Sequence, residues 1–244
     1  MYLGKRHTDE VGGVSFLHTN DFHGQLTPEL AERLSVRRAG VDLYFDSGDS
    51  ILSGNLGVPL RPEAVWPLLA GLDCTASVPG NRESHPVMAA FRAKLAGSEH
   101  PILCGNLRLK DGSRPLPGTL TLELNGLRIG VAAAMIEMVT SRMKTQMASA
   151  YLWDPALPCL RELGEELRPK VDLLIALTHI GYRRDIELAQ DSLYDVILGG
   201  HSHTILSEPE RVGKTWVCQG GSHGRFVGTY RWEDGELTGG LEPL

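Results

Sequence analysis

The sequence Leu198-Gly199-Gly200-His201-Ser202-His203-Thr204 follows the apolar run Tyr194-Asp195-Val196-Ile197. This pattern predicts a buried strand that ends in a sharp, glycine-supported turn. Such a turn points the imidazoles of His201 and His203 in one direction, and imidazoles fixed in this way suit a metal ion. The alternative is an ordinary solvated turn, so the other polar motifs of the chain decide between the two interpretations.

The first of these motifs follows residues 14–19, which predict a strand. It reads Asn20-Asp21-Phe22-His23-Gly24. Asp21 and His23 can bind one ion from the same side if the chain stays extended between them, and the glycine lets the backbone turn away. An Asx-type turn that merely closes the strand is the alternative.

A second predicted strand, residues 41–45, ends in Asp46-Ser47-Gly48-Asp49-Ser50. A carboxylate at a strand end beside a glycine is suited to bridging, because its two oxygens can reach two cations. Asp49 is the candidate for that role.

The third motif, Gly80-Asn81-Arg82-Glu83, follows a short predicted strand at residues 74–78. Asn81 can offer its amide oxygen to a hard cation, and Arg82 can face a phosphate. A plain strand-turn-helix connection explains the same residues without any ligand.

The fourth motif, Thr178-His179-Ile180-Gly181, follows residues 171–177, whose apolar character predicts a strand buried on both faces. A lone histidine at a strand end is often structural. His179, however, stands where the other strands place aspartate and asparagine, which favours a shared site.

Helical spacing predicts covering helices at residues 28–38, 62–72, 87–95, 155–167 and 184–190. Asn125-Gly126 between two alternating segments predicts a β-hairpin. The methionine-rich segment 133–150 shows little periodicity, and either a loop over the site or a simple connection fits it.

The chain has 244 residues, 42% of them hydrophobic and 22% charged, which is enough for one sizeable core and indicates a single globular domain. The net charge of −6 argues against a general nucleic-acid binder. Four widely spaced cysteines show no metal or disulfide pattern and indicate reduced thiols. Charges in residues 1–10 and the lack of a long apolar stretch favour a cytoplasmic location without membrane attachment.

In this order, the five motifs resemble the signature of calcineurin-like metallophosphoesterases, specifically the metallophosphatase domain of 5′-nucleotidases and 2′,3′-cyclic nucleotide phosphodiesterases. Gln219-Gly220-Gly221-Ser222-His223-Gly224 also resembles the glycine-rich loop after the last metal motif of that family. The resemblance implies an α/β fold, a four-layer α/β/β/α sandwich of two mixed sheets. The resemblance runs over almost the whole chain, so we expect residues 1–244 to be one metallophosphoesterase domain. A departure from the 5′-nucleotidases is expected in length, with no C-terminal nucleotide-binding domain in this chain.

The resemblance also implies two divalent metal ions, Mn²⁺ first, with Zn²⁺, Fe or Ni²⁺ as alternatives. The implied ligands are Asp21, His23 and His203 for one ion, Asn81, His179 and His201 for the other, and Asp49 between them. The implied reaction is hydrolysis of a small phosphate mono- or diester, with nucleotides among the candidates, by attack of metal-bound hydroxide. The implied partner is a small phosphorylated substrate.

The sequence departs from the family at Arg82, where relatives carry a histidine. Arginine can neutralise phosphate charge but is a poor general acid. His85 is a substitute acid if a helix begins near Arg82 and places both on one face; a surface histidine beside Pro86 is the alternative. The departure also motivates a second function, a weakened relative that binds metal or a phosphorylated ligand without turnover. A nuclease is disfavoured by the acidic charge.

Overall fold

The structure, a computed structural model, describes residues 12–244. The charged residues 1–10, from which a cytoplasmic location is predicted, therefore lie outside the described residues. Five helices are present in the described part of the chain: α1 (Pro28–Arg38), α2 (Val65–Gly71), α3 (Met88–Leu95), α4 (Ala156–Leu167) and α5 (Tyr182–Ala189). The strands are β1 (Val14–Thr19), β2 (Leu43–Asp46), β3 (Ala76–Ser77), β4 (Leu107–Leu109), β5 (Thr119–Leu124), β6 (Leu127–Met135), β7 (Tyr151–Trp153), β8 (Leu173–His179), β9 (Val196–Gly199), β10 (Glu210–Val212), β11 (Thr215–Gln219), β12 (Phe226–Glu233) and β13 (Glu236–Pro243).

Two mixed sheets form the centre of the fold. The first has the order β13-β12-β1-β2-β3, and the second has the order β10-β11-β9-β8-β6-β5. In the first sheet β1, β2 and β3 run parallel. In the second, β6, β8, β9 and β11 run parallel, and antiparallel strands close both edges. A separate pair, β4 and β7, is antiparallel.

Alternation of side chains along the strands explains the layers. Phe16 and Phe45 of the first sheet share one buried cluster with Ile175 and Val196 of the second, so these faces pack against each other. Leu17, on the opposite face of β1, packs with residues of α1 and α2. The outer face of the second sheet packs with α4 and α5. The order is helix, sheet, sheet, helix, which confirms the predicted α/β/β/α sandwich.

Most predicted elements are confirmed within a few residues. The hairpin turns at Asn125 and Gly126, with φ values of 51° and 77°, the left-handed pair that a type I′ turn requires. Segment 133–150 is a connection: its first alanines extend β6 beside β8, and the rest holds a short 3-10 turn at Lys144–Met147 before β7. Within residues 12–244, no helix has the length and apolar character needed to cross a bilayer.

Candidate metal centre

Parallel strands bring the five motifs to one edge of the sheets. Residues 20–24 follow β1, Asp49 lies three residues after β2, and Asn81 lies in the turn after β3. His179 is the last residue of β8, and the His201 turn follows β9. Because the carboxyl ends of parallel strands meet at the same edge, residues far apart in the sequence become neighbours there.

Asp21, His23 and His203 form the first group of candidate ligands. The Nε2 atoms of His23 and His203 lie 2.9 Å apart. Asp21 Oδ1 lies 3.5 Å from His23 Nε2 and 3.2 Å from His203 Nε2. Three donor atoms thus converge on one point.

Asn81, His179 and His201 form the second group. The amide oxygen of Asn81 lies 3.3 Å from His179 Nε2 and 3.0 Å from His201 Nδ1. The amide nitrogen of Asn81 donates to Asn55 Oδ1 at 3.0 Å, which turns the amide oxygen toward the imidazoles.

Asp49 stands between the two groups. Its Oδ1 lies 3.6 Å from His179 Nε2, and its Oδ2 lies 4.0 Å from His23 Nδ1. The backbone N–H of Arg82 donates to Oδ1 at 2.7 Å. A side chain at position 80 would put a Cβ only 2.2 Å from the same oxygen, so Gly80 leaves the space that Asp49 occupies.

The backbone around the site is strained. Five candidate ligands adopt left-handed φ values between 52° and 77°, an arrangement uncommon for residues other than glycine: Asp21, His23, Asp49, His201 and His203. Strain of this kind concentrates at functional sites, where the surrounding structure holds it in place.

Hydrogen bonds to buried groups orient the ligands. His179 Nδ1 lies 2.6 Å from the carbonyl oxygen of Ser47. A carbonyl only accepts, so Nδ1 carries the proton and the neutral ring keeps the lone pair of Nε2 for the site. The amide of Asn20 donates to Asp21 Oδ2 at 2.7 Å, and the backbone N–H of His201 donates to the same atom at 2.9 Å.

Burial and neighbouring groups shift the pKa values of the site residues in different directions. Burial alone would raise the pKa of Asp21, but the hydrogen bond with His23 and the positive field of His179 lower that pKa to about 2. Burial lowers the pKa of His179, and the nearby carboxylates of Asp49 and Asp21 outweigh it, so this pKa is raised. Burial and the charge of His179 lower the pKa of His201. The ionised Asp21 carboxylate and the neutral His201 ring are states that bind metal ions, and a bound cation would favour the neutral ring of His179 over the protonated one.

Two observations show that these residues fit a metal centre. The buried atom Asp21 Oδ1 has no hydrogen-bond partner of good geometry among residues 12–244, and a cation next to it would satisfy that oxygen. The donor set combines carboxylate, amide and imidazole and contains no thiolate, which suits Mn²⁺, Fe, Zn²⁺ or Ni²⁺ over a structural zinc.

The structure places Arg82 beside the site but changes the interpretation of His85. The guanidinium of Arg82 is half-buried and donates through Nη1 to the carbonyl of Leu52 at 3.0 Å. Helix α3 begins at Met88, so the expected helical face shared by Arg82 and His85 is wrong. The reason is Pro86, which disfavours helical geometry at the residue before it. The surface interpretation is also wrong, because only 9% of His85 is exposed.

His223 is a neighbour of the site that the motif assignment left without a role. Its ring centroid lies 4.9 Å from that of His23 and 5.9 Å from that of His203. Its backbone N–H donates to the carbonyl of Asp21 at 2.8 Å, and its φ is 62°. The sequence could have indicated this residue, because His223 is the one titratable residue in the glycine-rich stretch between Gln219 and Gly224.

Comparison with known proteins finds phosphoesterases and 5′-nucleotidases among the relatives of this chain. No family model matches the chain. The trifunctional nucleotide phosphoesterase protein YfkN of Bacillus subtilis (strain 168) is 27% identical over 90% of this chain and 18% of its own length. Protein UshA of Yersinia enterocolitica is 27% identical over 94% of this chain and 51% of its own length. The crystal structure of a 5′-nucleotidase precursor from Thermus thermophilus superposes with a TM-score of 0.76 at 19% identity, over 96% of this chain and 55% of that one.

The chain therefore spans about half, or less, of the length of these relatives. Its homologues and structural neighbours are 5′-nucleotidases and calcineurin-like phosphoesterases, which confirms the resemblance drawn from the motifs.

Proposed function

We propose that this chain, whose homologues are 5′-nucleotidases and other phosphoesterases, hydrolyses a small phosphate mono- or diester with two divalent metal ions. The observation that carries the proposal is the convergence of seven side chains at the carboxyl ends of strands from both sheets, in two groups with Asp49 between them. Nucleotides are the first substrates to consider, because YfkN of B. subtilis is named a nucleotide phosphoesterase.

Each group has a distinct part in this proposal. Asp21, His23 and His203 would hold one ion, Asn81, His179 and His201 the other, and Asp49 both. Mn²⁺ is the proposed metal, with Zn²⁺, Fe and Ni²⁺ as alternatives. When bound, the two cations supply a nucleophile at neutral pH and positive charge for the phosphate oxygens.

Arg82 supplies further positive charge. One N–H of its guanidinium donates to the Leu52 carbonyl, and the others, which have no partner among residues 12–244, can donate to a phosphate oxygen. Arginine keeps its proton, so Arg82 stabilises charge and does not protonate the leaving group. Esters with good leaving groups are therefore the preferred substrates in this proposal.

The test combines elemental analysis with hydrolysis assays in Mn²⁺. The panel contains an aryl monoester, an aryl diester, a nucleoside monophosphate and a 2′,3′-cyclic nucleotide. Asp49→Asn should lower metal occupancy at both positions and abolish hydrolysis, because an amide cannot bridge two cations with two anionic oxygens. Asp73→Asn is the matched control, since Asp73 also has a left-handed φ, of 50°, but pairs with Arg38 at the exposed surface.

Each result has one interpretation. Two equivalents of metal with full activity in Asp49→Asn would remove Asp49 from the bridging role. Bound metal in the native protein without hydrolysis of any ester would instead favour the second function, binding without turnover, which Arg82 motivates. The cytoplasmic location and the single-domain organisation stay predictions.

A further inference from the structure

Lys94 is a fully buried lysine on α3, far in sequence from most of the site motifs. Its ammonium donates to the carbonyl oxygens of Gly54 at 2.8 Å, Asn55 at 3.0 Å and Ser84 at 3.2 Å, and also to that of Arg82. Burying an ammonium is costly unless hydrogen bonds replace its hydration. Four backbone oxygens around three N–H groups provide that replacement.

These four carbonyls belong to two separate segments, residues 53–57 and residues 80–84. The first segment carries Asn55 and the second carries Asn81. Asn81 donates its amide N–H to Asn55 Oδ1, and this bond turns the amide oxygen of Asn81 toward His179 and His201. Lys94 therefore joins the two segments whose mutual position sets the direction of a candidate ligand.

We propose that Lys94 is a positioning residue for the metal position formed by Asn81, His179 and His201. This inference rests on the proposed metal centre. Without the ammonium, four carbonyl oxygens lose their donor and the two segments separate. Asn55 then no longer fixes the amide of Asn81, which is free to present its NH₂ group instead of its oxygen.

The first group of ligands is oriented by other residues. The amide of Asn20 and the backbone N–H of His201 hold Asp21. Loss of Lys94 should therefore weaken the position that contains Asn81 far more than the other, which Lys94 reaches only through Arg82 and Asp49. A general loosening of the fold would weaken both positions equally.

The test is calorimetric titration of metal-free protein with Mn²⁺. Lys94→Met keeps an unbranched side chain that is one atom shorter, and it removes the ammonium. We expect one equivalent to bind at least about tenfold more weakly, as for other residues that orient metal ligands, and the other within about twofold of the native affinity. Lys94→Gln, which keeps two N–H groups, should fall between, and it serves in place of Lys94→Met if that variant does not fold.

Two control variants separate positioning from simple helix anchoring. Trp66→Phe removes the 2.8 Å hydrogen bond from Trp66 Nε1 to the carbonyl of Lys94 itself, and leaves the ammonium in place. Lys170→Met removes an exposed lysine that pairs with Glu166. Both controls should bind two equivalents with native affinity.

Hydrogen exchange of the metal-free proteins gives a second readout. Lys94→Met should exchange faster in residues 53–57 and 80–84, and Trp66→Phe should not. The proposal would be overturned if Lys94→Met bound both Mn²⁺ equivalents with native affinity. It would also be overturned if Lys94→Met and Trp66→Phe each bound both equivalents more weakly, and to the same extent. A native protein that binds no Mn²⁺ would refute the proposed metal centre and Lys94's part in it. Hydrogen exchange would then show only whether Lys94 holds residues 53–57 and 80–84 together.

Discussion

Glu83→Gln tests whether a buried carboxylate shapes the Asp49 turn. Only 1% of Glu83 is exposed, and its carboxylate accepts four backbone N–H groups. Oε1 accepts from Ser50 at 2.8 Å and Ile51 at 3.1 Å. Oε2 accepts from Asp49 at 2.9 Å and Gly80 at 2.8 Å. One side chain thus joins the turn that carries Asp49 to the turn that carries Asn81.

The size of the effect follows from this geometry. Glutamine has one acceptor oxygen, so two of the four N–H groups face an NH₂ group whichever way the amide turns. Each buried N–H left without an acceptor costs about 1–3 kcal/mol, which gives about 2–6 kcal/mol for the pair. A neutral amide is cheaper to bury than a carboxylate, so we expect the lower half of that range.

Urea unfolding at pH 7 without metal measures this cost. The matched control is Glu63→Gln, because the buried carboxylate of Glu63 accepts two N–H groups, those of Leu52 and Ser53. It should lose one acceptor and about half the free energy of unfolding that Glu83→Gln loses. With Mn²⁺, Glu83→Gln should weaken both metal equivalents, because Asp49 serves both.

The reasoning is refuted if Glu83→Gln unfolds with native free energy and keeps two tightly bound equivalents. It is also refuted if Glu63→Gln is the more destabilised of the two variants, since the count of N–H donors would then not determine the cost.

Three further predictions concern single histidines and Arg82. His201→Ala and His203→Ala should each weaken a different Mn²⁺ equivalent in calorimetry; loss of the same equivalent by both would contradict the two-group assignment. Arg82→His should raise rates on alkyl monoesters relative to aryl esters, because an imidazolium can donate a proton; an unchanged leaving-group series would remove position 82 from the phosphate. Burial lowers the pKa of His100 to about 4 from 6.5, so its contribution is present above pH 6.5 and is lost as the pH falls through 4. The free energy of unfolding should fall by at most about 3 kcal/mol over that range, and His100→Gln should flatten the slope; an equally steep slope would exclude His100 as the cause.

The candidate ligands could be predicted because their signals are local. Each lies within a few residues of an apolar run that reads as a strand, and parallel strands place their carboxyl ends together. The residues that support these ligands could not be predicted in this way. Lys94 lies in a helical run where a lysine usually faces solvent, and its partners are main-chain carbonyls, which leave no trace in side-chain identity. The same holds for Glu83, whose four partners are backbone N–H groups.

The contrast between Glu83 and Lys94 bears on the departure at Arg82. The turn at residues 80–84 contains a buried anion, Glu83, that accepts N–H groups, and it packs against a buried cation, Lys94, that donates to its carbonyls. Within it, the N–H of Arg82 donates to Asp49 Oδ1, and its carbonyl accepts from Lys94. Both main-chain groups are therefore fixed by partners that do not depend on the side chain at this position. Exchange of arginine for histidine should keep both main-chain bonds and lose the side-chain bond to the Leu52 carbonyl. Arg82→Gln, which loses the same charge without gaining a proton donor of this kind, is therefore the control that lets Arg82→His test proton donation.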